Sequence, residues 1–110
     1  MTKNRRYPDH AERLAQEREL RTARASGPLQ TLTDAQLRLE TRVLSIAPDR
    51  SQIRARGRLR FGTVDARCNV LVRRWTSDAV GVEVEIDGDA LRCWIWQGAC
   101  DRIEDESMRS

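Results

Sequence analysis

Residues 53–72 read IRARGRLRFGTVDARCNVLV, and the alternation in this stretch decides the fold. Ile53, Ala55, Gly57, Leu59 and Phe61 alternate with Arg54, Arg56, Arg58 and Arg60. Successive side chains of a strand point to opposite faces, so one face is apolar or small and the other carries all four arginines. Gly62 and Thr63 suit a two-residue hairpin turn, whose positive φ a glycine adopts without steric cost. Counting back from that turn sets Phe61 against Val64, Leu59 against Ala66, Gly57 against Cys68, Ala55 against Val70 and Ile53 against Val72. Every pair on that face is apolar or small. A slip of one residue would mix the faces, so the match fixes the register.

The same count works for a second hairpin. Asp87 and Gly88 are a favoured turn pair and set Val84 against Leu91, Val82 against Cys93 and Val80 against Ile95. On the opposite face Glu83 meets Arg92, an ion pair, and Gly81 meets Trp94, an aromatic over a glycine. Thr76 to Asp78 form a three-residue loop that keeps Val70 and Val72 on the face of Val82 and Val84. The result is an antiparallel meander of four strands, five if Thr41 to Ile46 joins. Its inner face needs a lid, either a short helix or its own curl into a small barrel.

Ahead of the meander, Thr33 and Gln36 form a capping box, and Leu32 and Leu37 hold the positions of a hydrophobic staple, which predicts a short helix ending near Leu39 or Glu40. Further upstream, Asp9 and Glu12 cap a helix running to about Ala25, with Arg13, Glu17 and Arg21 at i, i+4 spacing. Leu14 and Leu20 lie about 240° apart around it, so it has no apolar stripe and little with which to grip a core. Ser26, Gly27 and Pro28 end it. The fold class is therefore α+β: an N-terminal helix and a short second helix, then a four- to five-stranded antiparallel meander. The expected organisation is a basic N-terminal arm and polar helix over 1–28, the meander domain over 29–103 and a polar C-terminal tail over 104–110.

A chain of 110 residues with net charge +3, 39% hydrophobic and 34% charged residues accommodates one small domain and no membrane-spanning run. Residues 1–60 carry 14 basic and 7 acidic groups and residues 61–110 carry 6 and 10, so the charge is polarised along the chain. Met1 to Arg6 is basic with no apolar segment behind it, which fits neither a secretory nor a twin-arginine signal and gives a cytoplasmic expectation. Cys68, Cys93 and Cys100 are an odd, irregularly spaced set that fits reduced thiols, and His10 lies far from them in sequence; no metal or other cofactor is expected. Cys68 and Cys93 lie on strands separated by a third, roughly 9.5 Å apart at two strand spacings, beyond the reach of a disulfide. No nucleophile stands with a base at useful spacing, and no glycine-rich phosphate loop is present, so the expectation is a protein that binds and does not catalyse.

Followed outward, the registers face Arg60 to Asp65 and Arg58 to Arg67, and give Arg67 a second neighbour in Asp87 or Glu85. Arg54 and Arg56 lack an acidic partner unless Glu40 or Asp49 supplies one. At the other end the registers gather Leu71, Arg73, Trp75, Ala79, Gly81, Trp94 and Trp96, so all three tryptophans converge. Such a patch is either covered by the N-terminal helix or the chain after Gly98, or it is a platform for a ligand. The candidate binding set is Arg54, Arg56, Arg58, Arg73, Trp75, Arg92, Trp94 and Trp96. Two partners fit it: a nucleic acid, with arginines on phosphates and rings on bases, or a protein, notably an acidic one, docked through the tryptophans as on an adaptor or inhibitor. An uncovered face or edge strand would also serve as a homo-oligomer contact.

Overall fold

The computed structural model describes residues 2–48 and 52–102, and the side chains among these from residue 11 onward. The elements run α1 (Thr2–Ser26), α2 (Asp34–Leu37), β1 (Ser45–Ile46), β2 (Ile53–Phe61), β3 (Val64–Trp75), β4 (Ala79–Ile86), β5 (Asp89–Trp96), a 3₁₀ turn (Gln97–Ala99) and β6 (Cys100–Arg102). Six strands form one antiparallel sheet in the order β5-β4-β3-β2-β6, with β1 paired to the end of β3. The fold is α+β, and the sheet does not close on itself. The expected polar tail at 104–110, and Asp49 as a partner for Arg54, lie outside the described residues.

Both hairpin registers are those that the alternation predicts, from Ile53↔Val72 to Phe61↔Val64 and from Val80↔Ile95 to Val84↔Leu91. The turn glycines carry positive φ, 60° at Gly62 and 82° at Gly88, with Asp87 at 52°. Buried Ala55, Leu59, Phe61, Ala66, Cys68, Val70, Val82, Val84, Cys93 and Ile95 form the inner face. That face is strongly curled. A Cβ on Gly57 would lie 3.2 Å from Cδ1 of Ile95, although β2 and β5 are separated by two strands in the sheet. In a flat sheet such strands stand about 14 Å apart.

The small residues at Ala55 and Gly57 permit the curl, and two further segments secure it. Extended residues 29–32 reach from one sheet edge to the other: Gln30 N donates to Arg60 O (2.7 Å) and Leu32 N to Trp94 O (3.0 Å). β6 pairs with β2 from Gly57↔Cys100 to Ala55↔Arg102, a strand the composition of 100–102 does not announce.

β3 and β4 pair only over Leu71–Trp75 and Val80–Glu83, so the two hairpins splay beyond that point. Helix α1 fills the opening and contacts β2, β3 and β4. Leu20 (3% exposed) and Ala23 (2%) enter the core from it, which corrects the expectation of a helix with little grip. A gap between hairpins needs one inserted leucine, not a stripe. Polar groups hold the rest: Arg21 Nε to Asp87 Oδ1 (2.7 Å), Arg24 Nη2 to Asp89 Oδ2 (3.0 Å), Arg24 Nη1 to Ile86 O (3.2 Å), and Gln16 Oε1 accepting from Asn69 N (3.0 Å). The last of these satisfies a donor on the free edge of β3.

α2 carries the predicted capping box on Thr33 and Gln36 but stops at Leu37, where Arg38 takes a left-handed conformation (φ 51°). The strand expected over Thr41 to Ile46 is reduced to two residues, Ser45 and Ile46.

Candidate binding face

The arginine row stands as the alternation places it: Arg54, Arg56, Arg58 and Arg60 are exposed on the outer face of β2. Arg60 meets Asp65 (3.4 Å) and Arg92 meets Glu83 (2.9 Å), the two predicted cross-strand pairs. Arg67 binds neither Asp87 nor Glu85. It meets Asp101 of β6 (3.4 Å), because β4 has splayed away and Asp87 serves Arg21 instead. Among the described residues Arg54, Arg56 and Arg58 have no ion pair. Arg56 and Arg67 line a groove of about 480 Å³ with Glu12, Arg13, Gln16 and Glu19 of α1, so two helix carboxylates, offset in part by Arg13, temper the middle of the row.

The three tryptophans do not converge. β3 bulges between Val72 and Arg74, which shifts the register from Val72↔Val82 to Arg74↔Gly81 and Trp75↔Val80. An extra residue inverts the parity of everything after it. Trp75 therefore packs against the inner core, while Arg73 and Arg74 both border the outer face. The sequence carries a signal for this that strict alternation overrides: Arg73-Arg74-Trp75 in regular pleat would bury the charge of Arg74, and burying an unpaired charge costs far more than a bulge. Arg74 is thus a face residue that the alternation misses.

Trp94 and Trp96 keep their predicted places opposite Gly81 and Ala79. Among the described residues neither candidate cover lies over the tryptophan face. Thr31, Ile46 and Ala47 lie beside Trp94 instead: the Trp94 backbone N–H donates to Thr31 Oγ1 (2.8 Å), and Ile46 and Ala47 border the same pocket. Leu37, Ala47 and Ala79 are buried outside the inner-face cluster. The chain after Gly98 returns across the sheet to β2, bordering Trp75 from the inner side. Trp96 is 45% exposed.

The product of these placements is a concave site of about 330 Å³ on the outer face, floored by Gly81, walled by Trp94, Ile46 and Thr31, and ringed by Arg73, Arg74 and Arg92. A Cβ at Gly81 would stand 3.3 Å from the Trp94 ring, so the glycine sets the depth of the ring. Arg73 and Arg74 have no ion pair among the described residues, whereas Arg92 is shared with Glu83. Arg54, paired with Leu71, is the diagonal neighbour of Arg73, so the arginine row leads into this pocket. Guanidinium forks match phosphate and carboxylate oxygens in bidentate geometry and stack on flat rings, and an indole offers a stacking face beside them.

The thiols carry no nucleophilic activation. Burial pushes Cys68 up to about 12, with the nearby Cys93 adding to the rise and Arg56 opposing it, and burial pushes Cys93 up to about 11. Both are free, as is the half-buried Cys100, whose thiol is raised by burial and by Asp101. No helix among the described residues is long and apolar enough to cross a membrane. No family model, curated protein or solved structure matches the chain.

Proposed function

We propose that this chain is a small non-catalytic binding module for single-stranded nucleic acid, engaged through the outer face. One observation carries the reading: Arg73 and Arg74, both without ion pairs among the described residues, share a pocket with the half-buried ring of Trp94. In it a base stacks on Trp94 and its phosphate meets the arginines, while Arg54, Arg56 and Arg58 follow the adjoining backbone. A duplex keeps its bases stacked on each other, so the unpaired strand is the preferred ligand.

Five arginines without an ion pair among the described residues set the scale. If each neutralises one phosphate, the slope of log K against log salt is about −0.7 per contact, and affinity falls roughly a hundredfold between 50 and 200 mM salt. The test is a fluorescence titration with a labelled single strand and a labelled duplex over that range. Tighter binding of the single strand, quenched tryptophan emission and a slope that flattens in Arg73→Ala/Arg74→Ala support the proposal. Salt-independent binding, or none at 50 mM, refutes it.

A second reading, docking of an acidic protein partner, has its own observation. Val43 is 83%, Ile46 65% and Trp96 45% exposed, an unusual amount of uncovered apolar side chain for so small a domain. Under this reading Val43→Ser and Ile46→Ser abolish partner capture, while Val43→Ser, which lies outside the lining of the Trp94 pocket, leaves oligonucleotide affinity unchanged. A homo-oligomer through the same residues would appear as a doubled mass in light scattering that these substitutions halve.

A further inference from the structure

We infer a second binding site on the inner side of the sheet, independent of the arginine face: an apolar pocket for a small carboxylate with a flat hydrocarbon body. A pocket of about 250 Å³ opens between the start of β2 and the end of β3, walled by Ile53, Val72, Trp75 and Val80. Its origin is local. The bulge at Arg73 turns Trp75 inward, and the small side chain of Ala55 leaves the wall recessed in front of the half-buried ring.

The mouth has a definite charge. β6 crosses beside the pocket, and its alternation sends Asp101 outward to Arg67 (3.4 Å) while Cys100 and Arg102 border the cavity. Arg102 is the one charged side chain bordering it among the described residues, and it is exposed and free of ion pairs there. Gln97, the other polar neighbour, already donates its amide to Thr76 O (3.2 Å). An aliphatic cavity of about 150 Å³ holds a benzene ring, so this pocket has room for a ring with a two- or three-carbon chain. Arg102 borders the pocket, and its fork takes the carboxylate of such a chain in a bidentate pair. Mostly apolar walls with one polar group at the mouth are the usual composition of small-ligand sites.

The experiment titrates the full chain with 3-phenylpropionate and, separately, with its neutral isostere 3-phenylpropanamide, by calorimetry and tryptophan emission. The acid is expected to bind about tenfold more tightly than the amide, as a charge-assisted pair replaces a neutral contact. Arg102→Ala brings the acid down to the affinity of the amide. Ile53→Trp, at the rim, fills the pocket and removes both. Equal affinities for acid and amide, no saturable binding of either at millimolar concentration, or binding that persists in a folded Ile53→Trp overturns the site. Should Ile53→Trp not fold, Arg102→Ala decides by itself, since an unchanged preference for the acid refutes the inference.

Discussion

Truncating Leu20 to alanine measures what holds the N-terminal helix to the sheet. Leu20 is 3% exposed and, among the described residues, is the one large apolar side chain that α1 places in the core; Leu14, the other leucine of the helix, is 42% exposed. Burying a leucine contributes about 2–3 kcal/mol, and a leucine-to-alanine change in a core costs about 2–5 kcal/mol once the cavity is included. The ion pairs that flank it are between side chains 36–61% exposed, and exposed pairs contribute about 0.2–1 kcal/mol each. Leu20→Ala therefore costs about 3 kcal/mol, and Arg21→Ala less than about 1 kcal/mol. Urea denaturation followed by circular dichroism reads the first quantity. Limited trypsin digestion at Arg18, Arg21 and Arg24 reads the opening of the helix, which at about 3 kcal/mol rises roughly a hundredfold when cleavage follows the open population. A Leu20→Ala loss under about 1 kcal/mol with unchanged protease protection, or a larger loss in Arg21→Ala, would refute anchoring by Leu20.

Three further outcomes are expected. Gly27→Ala destabilises by about 2–3 kcal/mol in urea titration, because its Cβ would stand 2.7 Å from Cα of Gly62, backbone against backbone; Gly98→Ala, with nothing within 4 Å, serves as the neutral control. The raised thiols make stability fall at high pH: the unfolded chain releases those protons near its ordinary value of about 9 while folded Cys93 and Cys68 hold theirs to about 11 and about 12, so the contribution is complete below pH 9 and declines above it. Urea midpoints that are level from pH 7 to 8.5 and drop by pH 10.5 check this, and Cys68→Ala/Cys93→Ala should flatten the drop. Finally, Glu83→Gln releases Arg92 from its 2.9 Å pair and should strengthen single-strand binding while steepening the salt slope by about 0.7; an unchanged slope means Arg92 does not contact phosphate.

The legible parts of the candidate face are the ones set by neighbours in one hairpin. Arg60 beside Asp65, Glu83 beside Arg92 and Trp94 over Gly81 each follow from a turn and a count. Trp75 lies on the side opposite to the one the count gives, and Arg74 escapes the count, because it assumes an unbroken pleat across Arg73. Arg67 found Asp101 because β6 takes the edge of β2, a pairing between residues 34 apart with no local cause.

By itself the sequence determined the two hairpins, the capped turn of α2 and the segregation of arginines from the apolar face, since each depends on alternation, a turn glycine or a cap within a few residues. Only the tertiary structure decided the rest: the bulge, the curl that brings Ile95 to Gly57, the wedge of Leu20 between the hairpins, and with them the separation of one tryptophan patch into two pockets on opposite faces. The physical reason is that hairpin register is a local count. Curvature and closure instead are settled by burying the inner faces of both hairpins at once, and small residues, an inserted leucine and an inverted tryptophan are the means by which this chain does so.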